Sequence, residues 1–200
     1  MCKLIFASVL SAVIVCARES PTAPPITIRT AHHSAAELAT EAKLQRLLAD
    51  YDLKAWTFTR EILIDERAIP HSHPVLTLHT RHLNHDDELL SAYLHEQLHW
   101  FLSRHESDTD AAVRELMRLY PEVPVGFPQG AQDRESTYEH LLVCRLERQA
   151  DLKLLGPERT ERVMQISAKD HYTWIYATVL RDGPQIDAIL KQHHLDSPQA

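Results

Sequence analysis

The chain has 200 residues, 44% of them hydrophobic, with four Gly against eleven Pro and a formal charge of −7. That length and apolar content fit one globular domain with a real core, and so little Gly excludes a Gly-rich phosphate-binding loop. The acidic balance argues against nucleic acid or an anionic membrane as partner, because both need a basic face.

Residues 1–17 hold one positive charge, Lys3, followed by an apolar run too short to span a bilayer comfortably. The stretch reads as a secretory signal peptide cut after Ala17, with Val15 and Ala17 at the small-residue positions. Val13-Ile14-Val15-Cys16 faintly resembles a bacterial lipoprotein box, although Val is a poor residue before the Cys; an uncleaved membrane anchor is the alternative. The expected location is therefore secreted or periplasmic. Losing Lys3 with the leader takes the charge from −7 to −8. Cys2 and Cys16 leave as well, so Cys144 has no partner, and a core or a metal must hold the exported protein together. Residues 18–25, with Pro21, Pro24 and Pro25, form a tether, and the domain occupies 26–200.

Residues 26–28 suit a short strand. Ser34 followed by Glu37 has the form of a capping box, and Leu38, Ala42, Leu44, Leu47 and Leu48 give the helix after it an apolar side. Residues 56–65 alternate and then turn apolar, which predicts a strand; residues 75–80, rich in β-formers, predict another. Pro70 and Pro74 punctuate the loop between them. His71, His73, His79, His82 and His85 crowd this region and are read as scattered surface residues rather than a second metal site. Asn84, Asp86 and Asp87 offer caps for the next helix.

That helix carries His95-Glu96-Gln97-Leu98-His99, the pattern H-E-x-x-H. Residues four apart project from one side of a helix, so His95 and His99 can hold one metal ion. Glu96 lies beside the open coordination position, where it can take a proton from the water the metal activates. Tyr93, Leu94, Leu98, Phe101 and Leu102 surround the motif and suggest a buried helix. Residues 107–110 cap a further helix that runs through Leu119. Residues 121–132, with three Pro and two Gly, are a loop long enough to line, cover or gate a site.

A catalytic zinc usually keeps three protein ligands and an open place for water. The helix over 140–155, capped by Ser136 or Thr137 and stopped by Gly156-Pro157, supplies the candidates for the third. At 100° per residue His140, Cys144, Glu147 and Asp151 share one stripe, flanked by Val143, Leu154 and Leu155, while Arg145, Gln149 and Lys153 mark the opposite, wet side. Ionisable groups in an apolar arc are costly unless paired or bound to a cation. His140 and Glu147 stand two turns apart, about 10 Å along the axis, so one of them binds directly. His140 is preferred, because the Tyr138-x-His140 start of this helix borders the loop.

The motif resembles that of the zincin class of H-E-x-x-H metallopeptidases. Glu147-Arg148-Gln149-Ala150-Asp151 is similar to the E-x-x-[A/S]-D continuation of the gluzincins. The resemblance implies Glu147 as third ligand and Asp151 as the residue that orients a ligand His; the alternative makes His140 the ligand and Glu147 its supporting carboxylate. The metzincin continuation is absent, since Leu102 stands where its Gly would be. Zincins often place a His or Tyr donor for the developing oxyanion downstream of the third ligand, so His171 and Tyr172, with Tyr138 behind them, are candidates on an aromatic helix over 169–180. Trp174 and Tyr176 on that segment are read as core packing. Residues 184–193 close the chain as a helix, and His193-His194 are expected to be solvated.

The expectation is an α+β domain, mostly helical, with a small sheet ahead of the motif helix and a zincin-like centre. The expected function is that of a secreted zinc (Zn2+) hydrolase, a metallopeptidase with a peptide or protein substrate. Its rivals are an exported zinc-binding structural protein without turnover and a helical partner-binding domain with a chance motif.

Overall fold

The computed structural model describes residues 25–196 and 198, so the expected signal peptide and most of the expected tether lie outside the described residues. Ser34 makes the box its spacing predicts. Its Oγ accepts the Glu37 amide at 3.2 Å and Glu37 Oε2 accepts the Ser34 amide at 3.4 Å, opening α1 (Ala35–Asp50). The same carboxylate accepts the His32 and Glu66 amides at 2.7 and 3.1 Å. It thereby ties together the ends of β1 (Thr27–Thr30) and β2 (Glu61–Ile64), which α1 connects. Burial works to raise its pKa, but these amide donors hold it below the ordinary 4.5.

β3 (Leu76–Leu78) completes a parallel sheet in the order β1-β2-β3, with Thr27 opposite Glu61 and Ile62 opposite Leu76. The strand expected over 56–65 is thus shorter than its pattern. Residues 54–56 form a 3-10 turn, and the Phe58 and Thr59 amides donate to Gln97 Oε1 at 2.7 and 2.8 Å. Gln97 Nε2 returns a bond to the Thr59 carbonyl at 2.9 Å. A side chain of the motif helix thus takes bonds that a neighbouring strand would otherwise have supplied.

The helices that follow are α2 (Asp86–Arg104), α3 (Glu106–Leu119), α4 (Arg134–Leu154), α5 (Pro157–Asp170) and α6 (Thr173–Gln192). Several expected caps are used otherwise. Asp86 pairs with Lys43 and, at 2.6 Å, with Arg46 of α1, while Asp87 pairs with Arg159 of α5. Residues 107–110 lie inside α3, which starts without a side-chain cap. Asp133, not Ser136 or Thr137, caps α4, in a reciprocal box with Ser136. The aromatic helix expected over 169–180 is split, because Tyr172 adopts the left-handed region at φ 49° between α5 and α6. The closing helix joins α6 across a kink at Asp182, two residues before Pro184.

One buried apolar cluster extends from Leu44 through α2 and α4 to Leu195. The side of α4 expected to be wet is partly covered. Arg145 Nε and Gln149 Nε2 donate to Asp187 of α6 at 2.6 and 2.7 Å. The helices approach closely there, since a Cβ on Gly183 would stand 2.6 Å from Arg145 Nη1. The protein is therefore mostly helical with a small parallel sheet ahead of α2. Among the described residues, no helix is long and apolar enough to cross a membrane.

Candidate metal centre

α2 and α4 lie antiparallel, and their side-chain pairs step up one as they step down the other. Ser91 meets Asp151 and Glu147, His95 meets Glu147, and His99 meets Glu139. This register brings His95 and His99 of α2 to His140 of α4, with ligand atoms all within 4.8 Å of one another.

Each of the three rings is held by its Nδ1. His95 Nδ1 lies 2.9 Å from Glu147 Oε2, His99 Nδ1 3.0 Å from Glu139 Oε1, and His140 Nδ1 2.6 Å from the Ser136 carbonyl. A carbonyl or carboxylate oxygen only accepts, so the hydrogen belongs on Nδ1 and the Nε2 lone pair is left to bind elsewhere. Neutral imidazoles of this kind suit zinc. Burial, reinforced by His99 and His95, lowers the His140 pKa to about 3. Burial and then His99 take His95 well below 6.5. His99 goes the other way: burial works to lower its pKa, but the bond to Glu139 and the nearby Glu96 carboxylate outweigh it. Of the three rings, His99 therefore holds a proton most readily.

Behind His95 stands a network of acids. Glu147 accepts from Ser91 Oγ at 2.7 Å and from the Tyr176 hydroxyl at 3.0 Å, and Ser91 Oγ is also 2.7 Å from Asp151 Oδ2. Ser91 has one hydroxyl hydrogen and two carboxyl neighbours, so one carboxyl must supply the second hydrogen. Asp151 fits that role: burial, then the charge of Glu147, pushes its pKa well above 3.8. Burial also raises Glu147, to about 7. Glu147 thus sits on the far nitrogen of His95, the position of a supporting carboxylate.

Two other groupings have ligand atoms equally close. In His95, Cys144 and Glu147 the Glu147 carboxylate is already taken by Ser91, His95 and Tyr176, and burial and Glu147 push the thiol pKa well above 9.0. In His32, Glu37 and Asp65 the acids are occupied: Glu37 caps backbone amides, and Asp65 pairs with His32 at 3.2 Å.

The triad borders a partly open cleft of about 830 Å³. Glu96 lines it, buried, with no hydrogen-bond partner among the described residues, and burial lifts its pKa to about 7. Tyr172 lines it too. Its ring centre is 4.5 Å from that of His140 and 6.4 Å from that of His95, and burial raises its hydroxyl to about 12. His171 is on the same wall, with Nδ1 3.0 Å from Asp170 Oδ2, and Asp170 in turn accepts from Arg81 at 2.5 Å.

Tyr138 is placed differently. It is fully buried, and its hydroxyl donates to the Tyr120 carbonyl at 2.5 Å, so it fastens the 121–132 loop. Tyr176, expected as packing, is buried but also holds Glu147. His71 and His85 are exposed, as expected, and with half-buried His82 they also line the cleft. His82 and His85 stand 3.5 and 3.7 Å from Glu88, and burial lowers the His82 pKa to about 4. His193 bonds Glu115 at 2.8 Å and is only half solvated. The sequence reading missed Glu139 and Ser91. Ser91 had a signal: it extends the four-residue stripe of His95 and His99 by one turn. Glu139 had none, lying off the His140 stripe like any solvated acid.

No family model matches the chain, and neither does any curated protein or solved structure.

Proposed function

We propose that the chain is a zinc-dependent hydrolase of peptides or proteins with a zincin-like active centre, and that it works outside the cytoplasm. The observation that carries this reading is the set of three imidazoles, each tied by Nδ1 to an oxygen and each left with a free Nε2. His95, His99 and His140 would hold the ion, with Glu147, Glu139 and the Ser136 carbonyl fixing the rings. Three ligands at the edge of a cleft suit catalysis better than the four of a closed structural site. Bound zinc supplies a Lewis acid and lowers the pKa of water.

The protein contributes the rest. Glu96, unpartnered and poised near neutrality, takes the proton of the attacking water on its carboxylate and delivers it to the leaving amine. Tyr172 is a neutral phenol at physiological pH and donates its hydroxyl hydrogen to the developing oxyanion. His171 gives its Nδ1 hydrogen to Asp170, so it serves as a donor only when doubly protonated.

Elemental analysis of chain purified without chelator should give about one zinc per molecule. Glu96→Gln keeps size and shape, so zinc content and melting temperature should stay near wild type while peptide hydrolysis falls by roughly 100-fold or more. Zinc retained with no hydrolysis by the unmutated chain would favour the rival, a zinc-binding protein without turnover. Sub-stoichiometric metal that added zinc does not restore would defeat both.

A further inference from the structure

Large apolar side chains that face water tend to mark binding surfaces when they gather in one place. Of those exposed among the described residues, Ile69 (85% exposed), Phe127 (80%) and Ile166 (46%) all line the cleft. They come from three separate parts of the chain: the loop before β3, the 121–132 loop and α5. No single local pattern accounts for their meeting at one opening.

The wall that carries Phe127 is fixed. Gly126 and Gly130 amides bond within the loop at 2.7 and 2.9 Å, and the Pro128 and Gln129 carbonyls accept the Thr173 and Trp174 amides at 2.8 and 3.2 Å. The loop was expected to gate the site; these bonds tie it to the start of α6, and Phe127 is exposed on it.

The floor and rim contribute charge in a particular way. Among the described residues Arg81 is the one Lys or Arg that lines the cleft, and it is engaged by Asp170 at 2.5 Å. No Lys or Arg among the described lining residues is therefore left unengaged to take a substrate's terminal carboxylate. The cleft volume is in the upper part of the range that encloses whole ligands, roughly 300–1,000 Å³. A membrane is a poorer occupant, because the chain is acidic and the apolar residues surround an ionisable floor.

Resting on the hydrolase reading above, we infer that the substrate is an internal segment of polypeptide bearing bulky apolar side chains, which Ile69, Phe127 and Ile166 grip at the mouth of the cleft.

The test uses zinc-loaded full chain carrying Glu96→Gln, which binds without turnover, and fluorescent peptides blocked at both ends. One peptide has Leu-Phe at its centre and the other Ser-Ser. The apolar peptide should bind about tenfold tighter, the effect of burying part of one large side chain. Adding Phe127→Ser and Ile69→Ser should erase the difference without changing zinc content or melting temperature, since both residues are exposed. Equal affinity for the two peptides, a preference that survives the double substitution, or a need for a free carboxyl terminus would each overturn the inference. So would Phe127-dependent sedimentation with phosphatidylcholine vesicles, which would assign the apolar rim to a lipid surface. Hydrolysis is read separately on chain with Glu96 intact: selective binding without cleavage refutes the hydrolase reading alone, and cleavage indifferent to the central residues refutes the specificity alone.

Discussion

Glu139 holds His99 by Nδ1, and its replacement separates orientation from ligation. Glu139→Ala should lower zinc affinity by roughly 10–100-fold in chelator competition, with a smaller effect on folding because the side chain is half-buried. The proton count at Ser91 is testable by a pair of variants. Ser91→Ala removes the hydroxyl between two buried carboxyls and should cost about 1–3 kcal/mol in denaturant unfolding. Asp151→Asn keeps a neutral donor toward Ser91 Oγ, so it should unfold near the wild-type midpoint; a loss as large as that of Ser91→Ala would mean Asp151 is ionised. His95 and His99, and separately His140 and Glu147, were legible as candidates because helical spacing aligns each pair on its own helix, and Glu96 by its place in the motif; that the two helices meet was not. The choice between His140 and Glu147 was not, since it depends on which ring nitrogen each oxygen meets. Tyr172 carried no backbone signal either: its left-handed φ occurs without the Gly that usually announces one.

Elements were legible where a local pattern decides them and were misjudged where a distant partner does. The Ser34 box formed as its spacing predicts, whereas Asp86 and Asp87 went to Lys43, Arg46 and Arg159, far along the chain. Residues 58 and 59 have a strand pattern but are bound by Gln97, one of the two variable positions of the motif. Gln97→Leu preserves bulk and leaves the Phe58 and Thr59 groups without that partner. It should destabilise the protein by roughly 2 kcal/mol or more, measured by chemical unfolding, before any loss of metal ligands is involved. The 121–132 loop was legible as a loop, but its fastening was not. A Cβ at Gly130 would meet the Pro124 carbonyl oxygen at 2.1 Å, so Gly130→Ala must displace the backbone that braces the start of α6. Peptide affinity should fall in that variant.

Across the whole molecule, the proposed zinc would link metal to charge through His99. Its pKa is raised above 6.5, so zinc bound there would compete with a proton. Affinity should therefore fall by about tenfold per pH unit as pH drops below the His99 value, and level off above it; a pH series at buffered free zinc measures this. An affinity indifferent to pH would place the ion elsewhere. The mostly helical class and the sheet ahead of the motif followed from composition and periodicity, while the parallel register and the turn at Tyr172 needed tertiary contacts. The antiparallel register of α2 and α4 has a mechanical consequence. Ligands, ring supports and Glu96 all come from two stretches, residues 91–99 and 136–151, one from each half of the chain. A bound ion is then a rivet across the seam between those halves, and amide hydrogen exchange should slow in both helices together when zinc is added, as one cooperative unit.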